Sequence, residues 1–238
     1  MAVQTVFKRY ELKFLLTAEQ KKRLLPEIEQ HMQLDKYGRT LIKNLYFDTD
    51  TYRLIRRSLE KPDYKEKLRI RSYGATTPDS TVYVELKKKH DGVVYKRRIP
   101  MQEKAAMAWL QDRDEAPDSQ IAREIRYFAG FYEMIHPTVF LSYEREAYYC
   151  KEGSDLRLTF DDNILCRQEE LSLCTENYGT PLLPEDGALM EVKCPGGIPM
   201  WLTSLLSREK IYKTSFSKYG TAYQTMIFTK QKENATNV

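Results

Sequence analysis

Histidine is scarce in this 238-residue chain: His31, His90 and His136 are all it has, which leaves little for imidazole-based catalysis. The four cysteines (Cys150, Cys166, Cys174, Cys194) show no CxxC spacing. Neither a disulfide framework nor a structural zinc site is expected, and the pattern reads as a reduced, cytoplasmic-type protein. No apolar run approaches the roughly 18 residues that a membrane span needs. The first 13 residues interleave charges with apolar side chains, so no signal peptide is read. GxxxxGK[ST], GxGxxG and HExxH are absent, which removes phosphate binding by a Gly-rich loop and zinc hydrolysis of the familiar kind. Gly196-Gly197 lacks any continuing fingerprint and reads as a turn, and Asp48-Thr49-Asp50 reads as a helix cap. No histidine or lysine is spaced to activate Ser215 or Ser217, so a serine nucleophile is not expected.

What is present is apolar and aromatic residue in quantity, 42% and 12%, enough for a sizeable core and against disorder. Charged residues make up 30%, and the net charge of +4 by itself points to no partner. Their distribution is more telling. Arg9, Glu11 and Lys13 alternate with Tyr10, Leu12 and Phe14, so a strand here has one charged and one apolar face. The same alternation recurs with Lys67, Arg69 and Arg71, with Glu85, Lys87 and Lys89, with Tyr143 and Arg145, with Arg157 and Asp161, and with Glu191 and Lys193. Asp91-Gly92 between two alternating runs signals a two-residue hairpin turn. That turn would set Glu85 opposite Arg98, Lys87 opposite Lys96 and Val84 opposite Ile99. Facing lysines repel, so the pair is odd unless an anion lies between them. Counted over the strand faces the charge is +8, against −4 for the remainder of a chain whose net charge is +4.

Helices are expected from the Thr17/Gln20 capping box to about Met32, with Pro26 kinking it or shifting its start, and near Thr51 to Leu59 after a cap at Asp48 or Asp50. Further helical stretches read as 102–112, 119–134, Met200 to Ser207 and Lys218 to Thr229. Residues 1–229 are expected to form one domain and 230–238 a disordered tail. Two architectures fit: a sandwich with charged faces toward water, the default, or a barrel with the charged faces lining its lumen.

Many Arg and Lys residues converging on one cavity suit a polyphosphorylated ligand, because Arg forks match phosphate oxygens and Lys supplies point charges. Carboxylates among them are explained if they hold a divalent metal that bridges phosphates. Arg9-Tyr-Glu11-Leu-Lys13, Leu45-Tyr-Phe-Asp48-Thr49, Lys67-Leu-Arg69-Ile-Arg71, Val84-Glu85-Leu-Lys87, Ser142-Tyr-Glu-Arg145, Arg157-Leu-Thr-Phe-Asp161, Met190-Glu191-Val-Lys193 and Phe216-Ser-Lys218-Tyr219 succeed one another along nearly the whole chain. Together they resemble the vacuolar transporter chaperone (VTC) domain, the polyphosphate polymerase branch of the triphosphate tunnel metalloenzymes, in its short prokaryotic-type version.

The resemblance implies an α+β fold, an antiparallel β-barrel tunnel of about eight strands with a basic lumen and helices packed outside. It implies transfer of the ATP γ-phosphate to a growing polyphosphate with Mn²⁺ or Mg²⁺. Lys13, Arg69, Arg71, Lys87, Arg145, Arg157 and Lys218 would hold phosphates as the catalytic set. Arg9, Lys96, Arg98, Tyr143, Lys193 and Ser217 would assist in substrate binding, and Glu191 and Glu11 would be metal ligands. ATP, triphosphate, pyrophosphate and polyphosphate are the expected partners. Nucleic acid is not, since the charge points inward. Hydrolytic relatives open with Glu-x-Glu-x-Lys; Arg9 replaces the first Glu here, which weakens a two-metal hydrolytic site. A triphosphatase or nucleoside triphosphatase on the same fold, or a binding module without catalysis, are the rivals. The inositol-phosphate-sensing (SPX) domain and membrane helices of eukaryotic polymerases have no counterpart in this sequence.

Overall fold

A computed structural model describes residues 6–7, 10–91, 93–111 and 117–228 of the protein. Arg9, Gly92 of the expected turn and the tail at 230–238 lie outside the described residues. The N-terminal alternating run forms strands β1 (Val6–Phe7) and β2 (Tyr10–Leu16). Helix α1 (Ala18–His31) starts on the expected capping box: the Gln20 N–H donates to Thr17 Oγ1 at 3.1 Å and the Thr17 N–H to Gln20 Oε1 at 3.0 Å. It runs through Pro26, which shifts neither its start nor its buried pair, Leu24 and Ile28. Pro26 is exposed, so water can meet the carbonyl that proline leaves without a partner.

Strands β3 (Met32–Leu34) and β4 (Thr40–Asp48) follow, and Asp48 caps helix α2 (Arg53–Leu59). Its buried carboxylate accepts the N–H groups of Leu54 (2.8 Å) and Ile55 (3.0 Å) and the Tyr219 hydroxyl (2.9 Å). Strands β5 (Tyr64–Tyr73), β6 (Thr81–His90) and β7 (Val93–Gln102) are long antiparallel neighbours. Glu85 lies opposite Arg98, Lys87 opposite Lys96 and Val84 opposite Ile99, the register that a two-residue turn imposes. The chain then forms α3 (Glu103–Gln111), α4 (Gln120–Phe131), β8 (His136–Cys150) and β9 (Arg157–Arg167). After the short β10 (Thr180–Pro181) come β11 (Ala188–Cys194), α5 (Met200–Arg208), β12 (Lys213–Thr214) and α6 (Lys218–Ala222), which continues as a π-turn over Tyr223–Ile227.

Among the described residues twelve strands join one antiparallel sheet, in the order β1-β7-β6-β5-β4-β8-β9-β11-β2-β12, with β3 beside β8 and β10 beside β9. Eight strands run seven residues or longer and the other four span two or three. Among the described residues the ladder path is open at β1 and β12, so the ladders do not close into the expected barrel. The architecture is an antiparallel-sheet α+β fold with six α-helices among the described residues.

One face of the sheet is covered by helices. Leu24 and Ile28 of α1 and Leu202 and Leu205 of α5 pack on Phe14, Leu158, Phe160, Met190 and Val192. Ala106 and Trp109 of α3 with Ile125 and Phe128 of α4 pack on Leu68, Ile70, Val82, Val84 and Leu86. The opposite face is divided. Ile42, Val139, Leu141, Ile164, Cys166 and Leu189 lie under Ile55 of α2 and Tyr219, Ala222 and Tyr223 at α6. The rest of that face carries the alternating charges.

A bulge in β9 makes this division possible. From Ser142–Leu165 to Glu144–Asp162 the ladder takes two steps on β8 and three on β9, and Asn163 sits at φ 47°. One extra residue exchanges the faces. Leu158 and Phe160 therefore point to the helix-covered side, while Ile164 and Cys166 join Asp161 on the other. All four cysteines are unpaired, and among the described residues no helix is long and apolar enough to cross a membrane.

Candidate active site

Alternation along β2, β5, β6, β7, β8 and β11 sends their charged side chains to one side, where they enclose a cavity of about 490 Å³. Among the described residues nine cationic side chains line it: Lys67, Arg69 and Arg71 from β5, Lys87 and Lys96 from the hairpin, and Lys13, Arg145, Lys193 and Lys218 from the facing elements. Two carboxylates, Glu11 and Glu191, line it with them, and Glu85 and Asp161 lie beneath, bonded to lining arginines. Nine cations against four carboxylates leave +5 around this space.

The buried carboxylates organise the basic groups. Glu85 accepts Arg69 Nε and Nη2 at 2.9 and 2.7 Å and pairs with Lys96 Nζ at 2.6 Å. This diagonal contact relieves the repulsion expected between Lys87 and Lys96. Burial would raise the Glu85 carboxyl, but Arg69, Arg71 and Lys96 outweigh it and hold it at about 2. Arg69 also donates to the Tyr46 hydroxyl at 2.9 Å, and Arg71 donates to Asn44 Oδ1 (2.9 Å) and the Tyr143 hydroxyl (3.0 Å). Asp161, fully buried, is gripped by Arg145 through both oxygens (2.5 and 2.6 Å) and by Lys218 at 2.5 Å. Glu191 meets Lys193 at 3.0 Å, Lys218 at 3.4 Å, and Lys13 and Arg145 at 3.6 Å. Burial works against its ionisation, yet those four cations keep its carboxyl well below the usual range.

For other cations burial outweighs whatever compensation their neighbours give. Lys67 donates to Ser217 Oγ at 3.2 Å, and burial together with Lys87 and Lys13 pulls its ammonium down to about 8. Burial brings Lys96 to about 8 despite Glu85. Burial, Arg69 and Lys13 also push Lys87 down, although Glu11 opposes them. The Tyr46 phenol responds in the same sense: burial should raise it, but Arg69, Lys67 and Arg71 draw it to about 8. The cavity holds positive charge that its own carboxylates do not neutralise.

Most of the residues singled out by sequence meet here: Lys13, Arg69, Arg71, Lys87, Lys96, Tyr143, Arg145, Glu11, Glu191, Lys193, Ser217 and Lys218. Arg157 does not. It is exposed at the start of β9, four residues or about 13 Å of strand from Asp161, with its guanidinium 5.8 Å from the centre of the Tyr149 ring. Arg98 lies in a neighbouring chamber, 4.5 Å above the Tyr83 ring. The sequence reading passed over Lys67, Tyr46, Glu85 and Asp161 as site residues. Face parity alone places Lys67, Glu85 and Asp161 on the charged side, and was the available signal.

For a divalent metal, the chemistry on offer is limited. Among the described residues no group of three or more His, Cys, Asp or Glu could hold an ion. Glu11 and Glu191 come from paired strands and face one cavity, each already beside a lysine. Two carboxylates fit a cation whose remaining ligands are phosphate oxygens, as Mg²⁺ prefers, and do not make a cage by themselves.

A VTC-domain family model matches residues 8–227. The chain belongs to the VTC-domain family. Solved structures similar to this VTC domain include a candidate adenylate cyclase from Bacillus halodurans, at 17% identity and TM-score 0.56, covering 90% of this chain and 96% of that one. Another, from Vibrio parahaemolyticus and also described as a candidate adenylate cyclase, is 11% identical with TM-score 0.53, covering 92% and 98%. At these identities the likeness concerns the fold of the VTC domain alone. No curated protein matches the chain.

Proposed function

We propose that the cavity binds the phosphate chain of ATP and of polyphosphate, and that the protein transfers the ATP γ-phosphate to the end of a growing polyphosphate. The supporting observation is the unneutralised charge: nine cations against two lining and two underlying carboxylates, with Lys67 and Lys96 drawn to about 8 by being buried among like charges. An anion of several charges relieves that condition. Lys13, Lys67, Arg69, Arg71, Lys87, Arg145 and Lys218 are the phosphate-binding set, with Lys96, Lys193, Tyr143 and Ser217 beside them. We also read the sheet as curling around this space as a tunnel. β1 pairs with β7 while β2, two residues further on, pairs with β11, so one segment serves both sides of the sheet.

In the proposed step a terminal polyphosphate oxygen attacks the γ-phosphorus in line, and the bond to the bridging oxygen breaks with its electron pair leaving on ADP. The nucleophile is already anionic and needs no base, which suits a site whose carboxylates are poor ones: Glu191 and Asp161 are held ionised below their ordinary range by Lys218 and Arg145. The cations stabilise charge spreading over the transferred group. A Mn²⁺ or Mg²⁺ held by Glu191 and Glu11 would supply further charge neutralisation between phosphates.

Purified protein incubated with ATP and Mn²⁺, with products resolved on a gel stained for polyphosphate, tests this reading. Long polymers are the expected product. Orthophosphate alone would make the protein a triphosphatase, and unchanged ATP with thermal stabilisation by triphosphate would make it a binding module.

A further inference from the structure

At one end of the basic cavity the same strands continue inward-facing side chains of different chemistry. Two residues beyond Arg71 on β5 stands Tyr73; two before Glu85 on β6 stands Tyr83; two beyond Lys96 on β7 stands Arg98. With Tyr37, Thr40 and Ile42 they line a second chamber of about 480 Å³. Arg145 lines both chambers and marks where one gives way to the other. Among the described residues no lysine lines the second, and aromatic surface takes its place.

The tyrosines present partly open faces, with the Lys36 ammonium 5.1 Å from the centre of the Tyr37 ring. Tyr73 and Tyr83 meet edge to face, with centroids 5.9 Å apart at 78°, and Tyr73 is 44% exposed. Arg98 covers Tyr83 at 4.5 Å. Tyr37 stands 70% exposed on the turn between β3 and β4, a turn fixed by the Tyr37 N–H donating to Asp35 Oδ1 at 2.9 Å and the Gly38 N–H to the Asp35 carbonyl at 3.2 Å. Asp35 also lines the chamber and is its carboxylate acceptor. A bare phosphate chain gains nothing from tyrosine faces. A flat aromatic base gains stacking from them and from the Arg98 guanidinium, and a sugar hydroxyl finds an acceptor in Asp35.

We propose that this chamber is a nucleoside subsite, formed by Tyr37, Tyr73, Tyr83, Arg98 and Asp35, that takes the base and ribose of a nucleoside triphosphate whose phosphates reach past Arg145 into the basic cavity. The inference rests on the phosphate-binding reading above. It fixes the direction of the donor: the nucleoside stays at the tyrosine end and the terminal phosphate lies toward Lys13, Lys67 and Lys87.

Isothermal titration of the full chain with ATP and, separately, with inorganic triphosphate tests it. Tyr83→Ala and Tyr73→Ala should each weaken ATP about tenfold, the size of one lost base–aromatic stack, and leave triphosphate within about twofold. Tyr83→Phe should bind ATP as the native chain does. Tyr37→Ala, at a position exposed enough to leave folding untouched, should weaken ATP in the same selective way. Equal losses for both ligands in the Tyr73 and Tyr83 variants would overturn the subsite while leaving the phosphate cavity standing, as would ATP binding unchanged in all three alanine variants. Failure of the native chain to bind triphosphate would overturn both readings.

Discussion

Raising the pH through 8 should loosen triphosphate binding, and Lys67 should carry a definable part of the effect. In the free protein burial and its cationic neighbours hold this ammonium at about 8. A bound phosphate chain favours the charged form, so the pKa rises in the complex. Below that free-state value Lys67 is charged with or without ligand, and pH acts little through it. Above it the protein takes up a proton in order to bind. Each further pH unit then lowers affinity about tenfold, or about 1.4 kcal/mol, until the pKa of the complex is reached. Lys96, also drawn to about 8, adds a smaller share because its side chain is 39% exposed and solvent screens it. Calorimetric titrations between pH 7 and about pH 9.5, in two buffers of different ionisation heat, count the protons absorbed. The native protein should absorb none near pH 7 and about one or more near pH 9. Lys67→Met should bind more weakly at pH 7 and show a slope reduced by about one proton. Protonation of the ligand itself is common to both proteins and cancels in the comparison. Equal slopes in the two would refute the account of Lys67 as an uncompensated cation.

Removing Lys87, whose charge is disfavoured in the free protein, should separate stability from function. Lys87→Met is expected to raise the melting temperature by about 2–4 °C and to lower triphosphate affinity; a fall in both would contradict the electrostatic reading. Arg69→Ala should abolish triphosphate binding and cost about 3 kcal/mol of stability, because it strips Glu85, 1% exposed, of both donors to its Oε2 and leaves Lys96 on the other oxygen. Full affinity in Arg69→Ala would sink the cavity assignment. Glu191→Gln should keep metal-free triphosphate binding and lose turnover with Mn²⁺; normal turnover would mean the metal ligand lies elsewhere.

Strand parity was legible in the sequence, and depth along the strand was not. The hairpin register followed from Asp91-Gly92 because a two-residue turn leaves the ladder one way to pair, and α1 began where Thr17 and Gln20 could serve each other. Arg157 shows the limit. It shares a face with Asp161, but the strand carries it past the cavity to stack on Tyr149. Arg98 likewise has the right parity and stands one step beyond, over Tyr83. Asp161 went unread as a site residue because its partners, Arg145 on β8 and Lys218 at α6, are 16 and 57 positions away in sequence. Tyr46 carries no such signal on its own strand, since its acidity is a product of Arg69 and Lys67 arriving from another.

The β9 bulge makes the spacing of residues, beyond their identity, a requirement of the site. Identity has its own part here: Asp162 pairs with Lys21 (2.6 Å) and Arg39 (2.9 Å), and asparagine suits the φ of 47° at position 163. Deleting either would straighten the ladder and reverse one arm of the strand. Asp161 would then leave Arg145 and Lys218, or Ile164 and Cys166 would leave the packing beneath α2 and α6. A one-residue deletion there should therefore be worse tolerated than any single exchange at the same place. An insertion scan along β9 would locate the bulge as the point where the reading frame of the fold, as opposed to that of the gene, is set.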